Sequence, residues 1–354
     1  MNDLAAPQNG QPPQQRIAVL GAGSWGTALA FSLAAHGGHD VRLWARREEQ
    51  AHEIRTTRRN DRYLRDVSLP ESVHVTSDID EAIEGAWLWV VAVPSQFVRS
   101  VAVQLADKVS DGITVVSVAK GIENETLMTT TEVLRDVLSA VERNRIGVLY
   151  GPSHAEEVAA AQPTSVVVAF PELEAAERVQ EAFLTRALRV YVNTDLRGVE
   201  IGGSVKNVMA LAAGIGDGMG LGDNAKAGLV TRGLAEIKRL GCAMGADPET
   251  FSGLAGMGDL IVTCFSQHSR NRRFGEMIGQ GRSTQEAEAA MTMVVEGVRT
   301  TTSVRALAQK YGVEMPITEA IHAILFEGLD VHDAARDLLA RDPKAEDVNA
   351  SVRA

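Results

Sequence analysis

The order of apolar runs predicts an α/β protein: a Rossmann-type doubly wound N-terminal domain followed by an all-α C-terminal domain. Three observations carry this. The run RIAVL at 16–20 enters Gly21-Ala22-Gly23-Ser24-Trp25-Gly26, and an Ala- and Leu-rich helical pattern continues from Trp25 to about His36, where Gly37-Gly38 ends it. Near-continuous apolar runs then recur with helical segments between several of them, as strands buried on both faces should read. After about Asp195 the strand-like runs largely disappear and long Ala-rich helical patterns replace them.

The strand candidates are 40–45 (DVRLWA), 87–93 (WLWVVAV), 114–119 (TVVSVA), 146–150 (IGVLY), 164–169 (TSVVVA) and 188–192 (LRVYV). Their spatial order, and the way the later ones pair, is open at this level. In 224–245, Ala227, Val230, Leu234, Ile237, Gly241 and Met244 recur at spacings of three and four, one face of a helix. Four segments result: a disordered Gln- and Pro-rich leader at 1–15, a dinucleotide-binding domain at 16–195, a helical substrate domain at 196–342 and a frayed charged tail at 343–354.

Bulk properties narrow the function. The 354 residues suffice for two cored domains, and 45% hydrophobic with 23% charged residues suits a soluble protein. A net charge of −11 disfavours nucleic acid or an anionic membrane as partner, though not a small anion held by a local basic cluster. No run reaches the ~18 apolar residues of a membrane span. Cys242 and Cys264 are far apart and, with eight His, form no metal-ligand spacing; His36 and His39, flanking Gly37-Gly38, read as solvated. No metal is expected, and the expected location is a reducing cytoplasm.

G-x-G-x-x-G between a strand and a helix predicts a dinucleotide site. Gly21 permits the tight turn, Gly23 lets backbone approach the pyrophosphate and Gly26 lets helix pack on strand, while the helix N-terminus offers free N–H groups to phosphate. Where NAD binders usually place Asp or Glu, the second strand runs into Arg46 and Arg47, with Glu48 and Glu49 only afterwards. Guanidinium groups suit a 2′-phosphate, so NADPH is expected to be preferred over NADH; Arg47 could equally be an ordinary surface residue.

Three further places look chemical. Lys120 in VAKGIE follows a strand, at the end where open α/β sheets bind ligands. Lys206 in GGSVKNVMALAAG lies near the start of an otherwise apolar helix. GMGDLIVTCFSQHSRNRRFG contains Asp259, Thr263, Ser269, Arg270 and Asn271, and SRN is the type of cluster that holds phosphate. Singly, each also reads blandly, as a surface lysine, a snorkelling lysine and a solvated basic turn.

Together, GAGSWGTALA, VVAVPSQ, VAKGIE, GPSHAEEVA, GGSVKNVMALAAGIGDGMGLGDNAKAGLVTRGLAEIKRLG, GLAGMGDLIVTC, SRNRRFG, VVEGVRT and YGVEMPIT resemble the NAD(P)-dependent glycerol-3-phosphate dehydrogenases, in their bacterial form. The resemblance covers roughly residues 16–330. It implies Lys206 as the proton-transfer lysine and Lys120 as a lysine near both substrate and nicotinamide. Gly151, Ser153 and Ala155 match a turn touching substrate or cofactor. Asp259, Ser269, Arg270 and Asn271 match the substrate pocket, with Arg270 and Asn271 nearest the phosphate, and Asn207 and Thr263 complete its polar wall. Ser24, Trp25, Arg46, Val294 and Glu296 match cofactor contacts; Phe97, after VPSQ, is expected to face the dinucleotide.

The implied reaction reduces dihydroxyacetone phosphate to sn-glycerol 3-phosphate with NADPH or NADH, reversibly, for glycerophospholipid synthesis. The residues suit it: Arg270, Asn271 and helix N–H groups can meet a dianionic phosphate, and a positioned ammonium at Lys206 can stabilise and protonate the carbonyl oxygen. Asp259 is expected to hold a lysine or a substrate hydroxyl, and a homodimer is expected because two-fold dimers are the commonest assemblies. Two other readings stand beside this one: a β-hydroxyacid or 6-phosphogluconate type dehydrogenase, and a cofactor-sensing protein without turnover.

Overall fold

The computed structural model describes residues 15–291 and 293–342. The leader, apart from Gln15, and the tail at 343–354 lie outside the described residues.

Among the described residues there are ten strands: β1 (Arg16–Leu20), β2 (Asp40–Trp44), β3 (Arg59–Asn60), β4 (Leu64–Ser68), β5 (Val73–Thr76), β6 (Leu88–Val91), β7 (Thr114–Ser117), β8 (Ile146–Tyr150), β9 (Thr164–Ala169) and β10 (Leu188–Asn193). Between them lie helices α1 (Ser24–Ala35), α2 (Glu48–Thr57), α3 (Ile79–Ile83), α4 (Val98–Leu105), α5 (Thr130–Val137), α6 (Ala155–Ala159) and α7 (Leu173–Phe183). From there on the described chain is helical: α8 (Leu196–Gly218), α9 (Asp223–Ala243), α10 (Asp259–Phe265), α11 (Arg270–Gly279), α12 (Thr284–Ala290), α13 (Glu296–Tyr311), α14 (Pro316–His322) and α15 (Val331–Leu339).

Eight strands form one sheet in the order β10-β9-β8-β7-β6-β1-β2-β5, and β3 pairs with β4 in a separate hairpin. All pairings in the large sheet are parallel except β8 with β9. The reason for the exception is local. A parallel return needs a crossover element that spans the strand, whereas the link from Tyr150 to Thr164 holds only the five-residue α6. The apolar runs have the expected cause: in β1, Ile17 and Val19 enter one core and Ala18 and Leu20 the other, so both faces are buried. Strand order reverses beside β1, with β2 on one side and β6 on the other, and this switch point opens a crevice at the strands' carboxyl ends.

The second core surrounds α8, which is buried from Leu196 to Ile215 apart from Arg197. A helix this apolar all round can only be central, and α9, α10, α11 and α13 pack against it. Three sequence expectations need correction. Lys206 is not near the helix start, because α8 begins at Leu196, where Asp195 caps it by accepting from Gly198 N. On α9, Ala227 is exposed and Leu234 half-buried; the buried face is Val230, Gly233, Glu236, Ile237, Leu240 and Gly241, because the first turn meets α8 through the Lys226–Asp217 ion pair rather than an apolar contact. His39 is not solvated. It is 4% exposed, its Nε2 is 3.1 Å from Ala182 O, and burial lowers its pKa.

Candidate active site

One cleft of about 660 Å³ runs from the Gly-rich turn to the flank of α8. Its first wall is the turn between β1 and α1. Gly21 has φ +130°, and a Cβ there would lie 2.5 Å from Ala92 O; a Cβ on Gly26 would lie 1.9 Å from Gly21 O, whereas Gly23 faces open space. The turn is braced from behind, since Ala22 O accepts from Gln50 Nε2 (2.7 Å) and Asn60 Nδ2 (3.0 Å). No side chain caps α1, which leaves the first-turn N–H groups, including those of Ser24 and Trp25, free for an anion. A pyrophosphate fits this cradle.

Arg46 and Arg47, at the end of β2, are exposed on the cleft rim and have no ion-pair partner among the described residues. The nearest acid in sequence, Glu48, is engaged by Arg55 and Ser77. Tyr63, on the β3–β4 hairpin, lines the same end. Phe97 (42% exposed), Val294 (39% exposed) and Ala155 also line the cleft. Glu296, at the start of α13, reaches across to Ser95, accepting from its Oγ at 2.7 Å and its N at 3.3 Å. Burial raises the pKa of Glu296, and these two hydrogen bonds oppose the rise.

The chemistry concentrates at the other end. Asp259 is 1% exposed and sits at the start of α10, directly after a π-helical turn at 254–258. Its Oδ1 accepts from Lys206 Nζ at 2.6 Å and its Oδ2 from Lys120 Nζ at 2.7 Å. Burial alone would raise the Asp259 pKa, but the two ammonium groups outweigh it and hold the carboxyl below its usual range. Burial lowers Lys206 to about 8; the Lys120 charge adds to this and Asp259 opposes it.

Lys206 Nζ also donates to Thr263 Oγ1 at 2.6 Å, and that hydroxyl donates to Asp259 O. Lys120 Nζ donates to Gly151 O at 2.9 Å. An ammonium has three N–H donors, so each lysine keeps one for a ligand. Gly151, at φ +127°, turns its carbonyl toward Lys120, and Ser153 Oγ donates to the same oxygen.

The predicted phosphate cluster begins α11. Ser269 is its N-cap, accepting from Arg272 N, so Arg270 and Asn271 occupy the first turn, where the helix dipole favours an anion. Arg270 donates to Val294 O at 3.2 Å. Asn271 Oδ1 accepts from Gly297 N, its Nδ2 donates to Asn207 Oδ1, and Asn207 Nδ2 reaches Lys120 O at 3.4 Å. The fold thus gathers the sequence-predicted residues into or around one cleft; Gly26 and Gly151 shape it from behind. Sequence reasoning passed over Tyr63, Ser95, Asn60, His154 and His268. Three of these, Ser95, His154 and His268, stood in quoted motifs without being singled out, and Asn60 and Tyr63 belong to a hairpin too short to read.

A strand–turn–helix at the sheet's switch point, joined through one cleft to a lysine–aspartate–lysine cluster, defines a two-domain dinucleotide-dependent dehydrogenase. Family models place it more closely. That described as NAD-dependent glycerol-3-phosphate dehydrogenase N-terminus matches residues 16–176, and that described as its C-terminus matches 195–336. The chain is 62% identical over 330 residues to glycerol-3-phosphate dehydrogenase (NAD(P)+) 2 of Salinibacter ruber, covering 93% of this chain and 96% of that one. It is 54% identical to the glycerol-3-phosphate dehydrogenase (NAD(P)+) of Chlorobium phaeobacteroides, covering 94% and 99%. The crystal structure of glycerol-3-phosphate dehydrogenase from Coxiella burnetii superposes with a TM-score of 0.89 at 41% identity, covering 93% of this chain and all of that one. The chain belongs to the NAD(P)-dependent glycerol-3-phosphate dehydrogenase family, and is with it an oxidoreductase acting on glycerol 3-phosphate and dihydroxyacetone phosphate.

Proposed function

We propose that the protein reversibly reduces dihydroxyacetone phosphate to sn-glycerol 3-phosphate, with NADPH preferred over NADH, and that Lys206 is the proton donor. Residues 16–195 serve as the cofactor domain and 196–342 as the substrate domain. The single observation that carries the reading is the pair of lysines sharing the buried Asp259 in the cleft that also holds the Gly-rich turn.

Gly21, Gly23, Ser24, Trp25 and Gly26 hold the dinucleotide phosphates, with Arg46 and Arg47 toward the 2′-phosphate and Phe97, Ala155, Val294 and Glu296 along its length. When bound, the reduced nicotinamide supplies the hydride to the carbonyl carbon of the substrate. As that carbon is reduced, the C=O π electrons move to oxygen, which takes a proton from Lys206 Nζ. Asp259 and Thr263 hold the ammonium in place, and their fixed dipoles need no reorganisation during transfer. Lys120, anchored by Asp259 and Gly151 O, points its remaining N–H at the same oxygen or its neighbour. The α11 N-terminus, with Ser269, Arg270 and Asn271, receives the phosphate, and Asn207 and Ser153 complete the wall.

The product would feed glycerophospholipid synthesis. No helix among the described residues is long and apolar enough to cross a membrane. A cytoplasmic location is supported by Cys242 and Cys264 both being free thiols. A homodimer is the proposed assembly, checked by a molar mass in solution twice that of one chain.

The test is steady-state oxidation of reduced nicotinamide. Rapid oxidation of NADPH is expected with dihydroxyacetone phosphate and not with dihydroxyacetone, together with a lower KM for NADPH than for NADH. Comparable KM values for the two cofactors would remove the role given to Arg46 and Arg47.

A further inference from the structure

Tyr150 ends β8, one residue before Gly151, whose carbonyl accepts from Lys120 Nζ. It is 1% exposed, and none of the chemistry above uses it. Its hydroxyl donates to Ala119 O, the carbonyl of the peptide that enters Lys120. Its ring lies beside the same lysine, with Nζ 5.8 Å from the centroid. The peptide that leaves Lys120 is held as well, since Lys120 O accepts from Asn207 Nδ2 at 3.4 Å. Backbone on both sides of Lys120 and the ammonium at its tip are therefore fixed separately.

Tyr150 is itself seated against the helical half. A Cβ on Gly203 would lie 2.5 Å from Tyr150 Cδ2, so the ring rests on the backbone of α8. Gly203 and Lys206 are three apart and share a face of that helix. The Tyr150 hydroxyl also lies 3.3 Å from Thr130 Oγ1, in the first turn of α5. Glu200, 2% exposed on α8, ties that turn down by accepting from Thr129 Oγ1 at 2.9 Å, Thr131 N at 2.9 Å and Thr131 Oγ1 at 2.6 Å. The phenol is thus clamped between α8 and the start of α5, closed off from the cleft, and it reaches the reaction only through Lys120.

We propose that Tyr150 is a positioning residue for Lys120, fixing the peptide that enters it and setting its side chain against Lys206, so that the remaining Lys120 N–H meets the substrate. The inference rests on the role proposed above for Lys120. A lysine side chain gives up much rotamer freedom when it is held at one atom, and a rigid ring and a fixed peptide reduce what must be given up during the reaction. Burial, with the Glu200 charge adding to it, holds the Tyr150 phenol well above its ordinary pKa, so the hydroxyl remains a donor throughout the working range.

The experiment is a double-mutant cycle. Tyr150→Phe keeps the ring against Gly203 and removes the hydroxyl, and it is made both in wild type and in Lys120→Ala. The readout is single-turnover oxidation of bound NADPH on mixing with saturating dihydroxyacetone phosphate, which records slow variants as well as fast ones. In otherwise wild-type protein the rate should fall about fivefold or more, with the NADPH dissociation constant within about twofold of wild type. In the Lys120→Ala background the same change should cost less than about twofold, because the residue it acts through is gone. A rate for Tyr150→Phe within about twofold of wild type would overturn the assignment, and so would an equal loss in both backgrounds, which would make Tyr150 a packing residue only. Should Tyr150→Phe fail to fold, Gly203→Ala, which displaces the ring and keeps the hydroxyl, is put through the same cycle with the same expectations. If Lys120→Ala alone turns over as wild type does, the role given to Lys120 falls, and the assignment of Tyr150 falls with it.

Discussion

Lys206 combines two properties that rarely coincide, burial on an apolar helix and a salt bridge to a carboxylate that it must share with Lys120. Burial lowers its pKa to about 8, close to working pH, where an ammonium gives up a proton readily yet is still mostly charged. In the proton-donor role proposed for Lys206, reduction needs the protonated form. The kcat/KM for dihydroxyacetone phosphate should therefore hold below pH about 8 and fall as pH rises through it, while glycerol 3-phosphate oxidation, which needs the neutral amine, rises over the same range. A reductive profile flat from pH 7 to 9.5 would contradict this. At this scale the sequence exposed what was chemically odd, such as a lysine inside GGSVKNVMALAAG or arginines where an acid is usual. It did not expose Tyr63 or Asn60, whose residue types are ordinary and whose place beside the cleft comes from neighbours distant in the chain.

At the scale of elements, glycine lets α8 and α11 touch. A Cβ on Gly214 would lie 1.9 Å from Arg272 O, and one on Gly275 would lie 2.1 Å from Leu211 O. Neither backbone can retreat without moving the first turn of α11, where Arg270 and Asn271 sit. Gly275→Ala should cost about 1–3 kcal/mol of stability through overpacking and raise KM for the phosphorylated substrate. Chemical denaturation checks the first effect and initial rates the second; an unchanged unfolding midpoint would mean the helices can separate freely. The buried strands were legible as apolar runs because both faces are covered. β3, β4 and β5 were not, being short or half-exposed, and neither was the reversal between β8 and β9, because strand direction depends on what the connection can span.

In the whole molecule, the cleft is a junction. The sheet half contributes the dinucleotide cradle, Lys120 and Gly151, and the helical half contributes Lys206, Asp259 and the α11 N-terminus. Bonds from Lys120 to Asp259 and from Ser95 to Glu296 cross it, so the lysine–aspartate–lysine cluster exists only when the halves are assembled. Motif order along the chain foretold both halves, but the shared carboxylate could be seen only in three dimensions. The most direct test of this account is turnover by Lys206→Ala, with NADPH binding measured on the same preparation. The prediction is a fall in kcat of about 10²–10⁴-fold with the NADPH dissociation constant close to that of wild type. A folded Lys206→Ala protein that reduces dihydroxyacetone phosphate at near wild-type kcat would contradict it.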